Sequence, residues 1–413
     1  MFDEEKILTK TGFNCTIDAT VCVCKPYQLS VMITFMQKPI TTSNLGTAIK
    51  RWHKCLSLSL WLSTACLYAA EVPGLYDAAV AINSRDNEKE RQQGFTAAMK
   101  QTLVKLTGRQ DTLQNPLVSR AVSNAQSYVE SWAYRSAVLP NLNAAGQQLL
   151  LQVSFFPSEI QNLLTTANIP VWPQNRPVTL LWVVIEDELG ERIIAGSENG
   201  AAADNSAEIH QELLANAAVY GMPLLLPLLD FADQRSLQPD QLWNFDLEAI
   251  RLASLRYGEE SILVLRIYRS LSGEIISKCV YLFRDQELQQ ESIENSLQPV
   301  LATTIKLAAE ELAGYYAVSL SGTDNNTVIK LTVDGIQGIN DYAGLLNYAE
   351  TLATVKSVEV AGVEHGTVNL SLHTSGQLRQ LIENIALDKR MMPAADVTRA
   401  GELVNMHYVW QPQ

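Results

Sequence analysis

Residues 178–185 read Val-Thr-Leu-Leu-Trp-Val-Val-Ile, and Glu186-Asp187-Glu188 follow at once. A run this short and this continuously apolar, rich in β-branched and aromatic side chains, predicts a strand buried on both faces, hence a sheet with a layer on each side. Outward from it, a Gly/Ala/Asp-rich loop at 190–206 leads to a helix showing Ile209, Leu213, Ala217 and Tyr220 and stopping at Gly221. Pro223 to Leu229 reads as a second strand, and about 241–257 as a helix ending at Gly258. Ser261 to Arg269 and Glu274 to Phe283 form a hairpin around Ser272-Gly273, and a helix from Ser292 to Tyr316 closes the unit. The β-α-β-α-β-β-α order predicts a small three-layer α/β domain with some parallel pairing, spanning residues 169–320. Its amino-terminal boundary is the proline-rich stretch Ile169 to Pro177.

Upstream, residues 71–168 predict an α+β domain. A strand at 75–82 precedes a helix in which Phe95, Met99, Leu103 and Leu106 recur at helical spacing, with Asn87 near its start and Gly108 as its stop. A second helix opens at Asn115-Pro116, asparagine as cap and proline in the first turn, with Leu117, Ala121, Ala125 and Tyr128 on one face. Strands at 131–138 and 147–156 and a helix at 158–167 complete it. Downstream, residues 324–410 predict a strand at 328–333, a helix at 341–352, a hairpin of 355–363 with 366–372, a helix at 376–387 and a strand at 403–409. That β-α-β-β-α-β order is ferredoxin-like. The fold class is therefore multi-domain, mixed α+β and α/β.

Apolar content of 47% and charged content of 18% are those of a globular protein of 413 residues, long enough for two or three cores. The first 70 residues hold four acids and seven bases of the chain's 44 and 31, which leaves the body a net charge of −16. A body so acidic repels phosphate backbones, so nucleic acid is not an expected partner. Five of the six cysteines precede residue 70, and Cys279 lies in an apolar strand, where it reads as a buried small hydrophobe.

Residues 36–70 read as a secretory signal: Lys50, Arg51, His53 and Lys54 form the basic region, Cys55 to Leu67 the apolar one, and Ala69-Ala70 a cleavage site. Ser63-Thr64-Ala65 before Cys66 resembles a lipobox with its leucine displaced to Leu62, so Cys66 is a candidate lipidation site. Residues 1–35 lie upstream of an ordinary signal and read as an over-extended start. The expected location is the periplasm, with attachment through Cys66 as a variant and no transmembrane span in the mature chain.

The chain carries no G-x-S-x-G, H-E-x-x-H, Walker or G-x-G-x-x-G motif. His210, His365, His373 and His407 read as surface or core polar groups rather than metal ligands, and no cofactor is expected. The carboxylates after the two predicted parallel strands, among them Asp187, Asp230 and Asp233, would sit at strand ends where α/β folds bind ligands or cations. The plainer reading makes them turn and cap residues. Trp172-Pro173 with Arg176-Pro177 reads as a rigid linker, and Trp172 with Arg176 also as a candidate exposed anchor pair for a partner protein.

Leu103 to Gly108, Val171-Trp172 with Arg176-Pro177-Val178, Leu181-Trp182, Gly221-Met222-Pro223, Leu226 to Asp230 and Arg256-Tyr257 together resemble the proteobacterial domain of unknown function 2066 family. Leu331 to Gly335 with Asp341-Tyr342-Ala343 extends the resemblance into the last domain. It implies an exported envelope protein and supplies no catalytic residues. The middle segment is also loosely similar in fold to the amino-terminal α/β domain of periplasmic translocation and lipoprotein accessory proteins. The expected function is a non-catalytic binding or scaffold protein of the periplasm with an envelope protein partner. The alternative is a metal-assisted hydrolase using Asp187, Asp230 and Asp233.

Overall fold

The structure, a computed structural model, describes residues 70–138, 147–195, 206–319, 327–374, 378–400 and 403–411. The expectations for the start, the signal segment and Cys66 lie outside the described residues. The chain is a multi-domain α+β protein.

The amino-terminal part holds β1 (Ala70–Glu71), β2 (Asp77–Ile82), α1 (Glu88–Thr107), α2 (Pro116–Ser123), β3 (Val129–Val138), β4 (Gln147–Phe155) and α3 (Pro157–Thr166). Asn87 caps α1 by accepting from the Glu90 amide, and Gly108 ends it in the left-handed conformation at φ 66°. β2, β4 and β3 form an antiparallel sheet in that order. Phe95, Met99 and Leu103 of α1 bury against Leu151 and Val153 of β4. α2 differs from expectation. It ends at Ser123, and its buried face is Val118, Ala121 and Val122, while Leu117 points to solvent. The spacing that joins 117, 121, 125 and 128 runs through a helix break, because Ala125–Tyr128 is a separate 3-10 turn.

The central part begins with β5 (Asn175–Arg176), which pairs β1, and then β6 (Thr179–Glu186), the opening run of the sequence. β7 (Arg192–Ala195), α4 (Ser206–Tyr220), β8 (Leu224–Leu225), α5 (Phe231–Ser236), α6 (Pro239–Trp243) and α7 (Leu247–Ser254) follow. β9 (Ser261–Arg269), β10 (Ile275–Phe283), β11 (Gln286–Glu294) and α8 (Leu297–Tyr316) complete it. The sheet order is β11-β10-β9-β6-β7, with β8 alongside β6, and the β6–β9 and β6–β8 pairs are parallel. Alternation within β6 explains its apolar run. Leu181 and Val183 face α4 and α8, while Leu180, Trp182 and Val184 face the layer of α5, α6 and α7. Three details depart from the sequence reading. The predicted strand 223–229 shrinks to two residues, the predicted helix 241–257 breaks at Phe245 (φ 54°), and 286–294 is a strand rather than the approach to a helix. That strand escapes notice because an edge strand made mostly of Gln and Glu, with only Leu288 and Ile293 apolar, has little apolar signal.

The carboxyl-terminal part holds β12 (Thr327–Asp334), α9 (Ile339–Thr351), β13 (Val355–Glu364), β14 (Thr367–Thr374), α10 (Leu378–Asp388), β15 (Met391–Ala400) and β16 (Leu403–Trp410). The order β13-β14-β12-β16 is that of a ferredoxin-like sheet, extended by β15 at the edge. The hairpin from β15 into β16 reverses the last strand, so β16 runs parallel to β12. Pro393 hides β15 from a propensity reading. An outer strand tolerates proline, because its amide need not pair.

Candidate functional site

The candidate surface anchor Trp172–Arg176 proves to be interior, since both residues have no exposed surface. All five guanidinium N–H groups of Arg176 donate to main-chain carbonyls. Nε donates to Pro173, Nη1 to Tyr220 and Gly221, and Nη2 to Lys105 and Trp172, at 2.7–3.0 Å. No carboxylate is among its partners. Instead the cation sits where α1 and α4 end, at the negative ends of two helix dipoles. Its Cζ lies 4.2 Å from the Trp172 ring centroid. Burial lowers its pKa to about 9, which still leaves it charged at neutral pH. The approach is so close that a Cβ on Gly221 (φ 59°) would come within 2.8 Å of Nη1. Lys105-to-Gly108, Trp172-to-Arg176 and Gly221 thus converge on one packing point, which accounts for their distinctiveness without any ligand.

The carboxylates separate into two settings. Asp187 closes the β6–β7 turn, its Oδ1 accepting from the amides of Leu189 and Glu191. Asp230 caps α5, accepting from the amides of Ala232 and Asp233, and takes two bonds from Arg256 at 2.6 and 2.9 Å. The Arg256 guanidinium and these amides hold its carboxyl well below the usual range. Asp233 is buried and accepts from Arg256 at 2.8 Å, from the Tyr257 hydroxyl at 2.5 Å and from the Leu229 amide at 2.9 Å. Burial and this carboxylate push the Tyr257 hydroxyl pKa up. Each carboxylate is therefore engaged by protein donors. Among the described residues no group of three or more His, Cys, Asp or Glu is placed to hold a metal. His373 lies 3.3 Å from Glu359 and His407 2.7 Å from Asp334, each beside a carboxylate of its own.

What the Asp230–Arg256 pair organises is a surface. Leu228 (53% exposed), Phe231 (77%), Leu252 (65%) and Leu255 (72%) lie on the two segments that the pair joins, each within four residues of a paired side chain. Exposed apolar groups of this size on segments joined by an Arg–Asp pair set this surface apart. The sequence held a signal for it. Ile250, Ala253, Ser254 and Tyr257 fix the buried face of α7 and the turn after it, so Leu252 and Leu255 fall on the outward one.

Past Tyr257 the chain turns through Gly258 into a narrow cleft of about 130 Å³, walled by Glu259 and Glu260, Arg284, Tyr316, Glu383 and Lys389. Arg284 donates to the Tyr315 hydroxyl at 2.6 Å and pairs with Glu383 at 2.5 Å, and Tyr315 donates to the same Glu383 at 2.8 Å. This clamp joins the β10–β11 turn and α8 to α10. Burial raises the Glu259 pKa to about 7, against Lys389, which lowers it, and with Glu260, which raises it.

Fold and site together define a mixed α/β protein built of several layered parts, with ionic networks that fasten its helices. The family model of a domain of unknown function, DUF8605, matches residues 69–173. This overturns the resemblance to the domain of unknown function 2066 family, a different one; the segments that carried it are helix stops and packing residues. No curated protein matches the chain. Among the described residues no helix is long and apolar enough to cross a membrane.

Proposed function

We propose that the chain is a non-catalytic binding or scaffold protein of the bacterial cell envelope, engaging a protein partner through the exposed face of α5 and α7. The observation that carries this reading is the group Leu228, Phe231, Leu252 and Leu255 around the Asp230–Arg256 pair. Four large apolar side chains left in water cost solvation that a partner's apolar segment would recover, at roughly 25 cal/mol per Å² covered. The Asp230–Arg256 pair, itself partly exposed, joins the two segments that carry them. Export rests on the signal-like segment at residues 50–70, and a mature chain beginning between Cys66 and Val72 is part of the proposal. The alternative, carboxylate-assisted hydrolysis, would need Asp230 and Asp233 released from Arg256.

The test retains envelope proteins on the tagged full chain and on its Phe231→Ser/Leu255→Asp variant. A defined partner held by the parent and lost by the variant, with unchanged thermal unfolding, is the expected result. Identical retention by both proteins would refute this surface, and an amino-terminal analysis returning only an intact Met1 would refute export.

A further inference from the structure

The outer strands of the described sheets are protected against edge-to-edge pairing in all cases but one. β11 carries Glu287, Glu291 and Glu294. β13 carries Lys356, Glu359 and Glu364 and two register breaks; β15 has Pro393 and two more. β3 has a bulge with Glu130 and Arg135, β7 is only four residues long, and β1, β5 and β8 only two each. These are the usual devices against strand addition. β2 has none of them after Asp77, its remaining sequence being Ala78-Ala79-Val80-Ala81-Ile82.

The register fixes which groups of β2 are open. Phe155 donates its amide to the Tyr76 carbonyl, so Tyr76, Ala78, Val80 and Ile82 pair inward with β4. Asp77, Ala79 and Ala81 then direct their main-chain groups outward. Asp77 is accounted for, because its amide donates to Gly74 and its carbonyl accepts from Lys105 Nζ at 2.7 Å. The N–H and C=O of Ala79 face a groove of about 540 Å³, and those of Ala81 point the same way one step further along the strand. Gln101 and Lys105 of α1 border it on one side; Ala215, Ala218 and Val219 of α4 border it on another.

We propose that the β2 edge takes up one extended segment of a partner protein as an added antiparallel or parallel strand. Main-chain bonds from Ala79 and Ala81 would set its register, and the alanine-lined wall of α4 would admit only small side chains. A net charge of −16 on the body opposes a second copy of this chain. Lys105 and Asp77 offset each other at the groove, so the inserted segment is uncharged where it lies against β2. This surface is separate from the α5–α7 face and does not depend on it.

The probe is a synthetic nine-residue peptide of alternating valine, threonine and alanine, compared with the same peptide N-methylated at alternate residues. Amide hydrogen exchange is followed in the full chain. The unmodified peptide is expected to slow exchange at Ala79 and Ala81 at least tenfold and the methylated one to leave it unchanged. Ala81→Pro removes an outward amide, and Val219→Trp fills the groove from α4 with β2 untouched; each should abolish the protection. Slow exchange at both amides in the free protein, equal effects of the two peptides, no effect of either, or protection that follows dimerisation would each overturn the proposal. The Phe231→Ser/Leu255→Asp variant should respond like the parent.

Discussion

A guanidinium buried without a carboxylate must find its acceptors on the main chain, and Arg176 finds one for every N–H it owns. Arg176→Met would strand carbonyls at the ends of α1 and α4, and the expected loss is about 4 kcal/mol. Arg176→Lys offers three donors without the planar fork and should lose about 2 kcal/mol. Urea denaturation checks both, and a methionine variant within about 1 kcal/mol of the parent would refute the role assigned to the cation. Glu259 gives a second single-residue expectation. Its pKa rises on folding to about 7 from 4.5, so the folded state holds the proton more tightly. The contribution is full below pH 4.5 and is lost as pH climbs through 7. Solvent screening at this half-buried site reduces it to about 1 kcal/mol. The midpoint of urea unfolding should fall over that interval in the parent and stay flatter in Glu259→Gln.

At the scale of elements, α5 is a six-residue helix that cannot hold itself, and its position depends on Asp233. Asp233→Asn replaces an acceptor by a donor that faces Arg256 or Tyr257, and should cost about 3 kcal/mol. Phe231→Ser should cost almost nothing, since the ring touches solvent. Comparing the two by thermal unfolding separates the fastening from the surface it presents. Elements with strong local grammar were legible in the sequence: α1 between Asn87 and Gly108, β6 from its apolar run, and the β9–β10 hairpin from Ser272-Gly273. Elements whose identity comes from their neighbours were not. β11 is a strand because β10 pairs it, and β15 is one because β16 does. The site was legible in part. Asp230 reads as a cap from its position, but its partner Arg256, 26 residues away, is fixed only by the packing of α5 on α7.

On the scale of the molecule, the carboxyl-terminal part has a core of its own, running from Ile329 to Trp410 without a residue from elsewhere. A fragment of residues 324–411 should therefore unfold cooperatively in urea, and a sloping circular-dichroism transition would show that its sheet depends on the central part. In the full chain the Arg284–Glu383–Tyr315 clamp couples the two, so Arg284→Ala should split one calorimetric transition into two. The buried guanidinium has a different consequence, one of timing. Its carbonyl partners at Lys105 and Gly221 lie 71 and 45 residues away along the chain, on either side. The amino-terminal sheet can close its own core early, but the end of α1 stays unsealed until α4 has formed and arrived. Closing loops of that length is slow and unrewarded until the last contact is made. Arg176 is thus a late checkpoint, a single side chain that reports whether two separately assembled pieces have met in the right place.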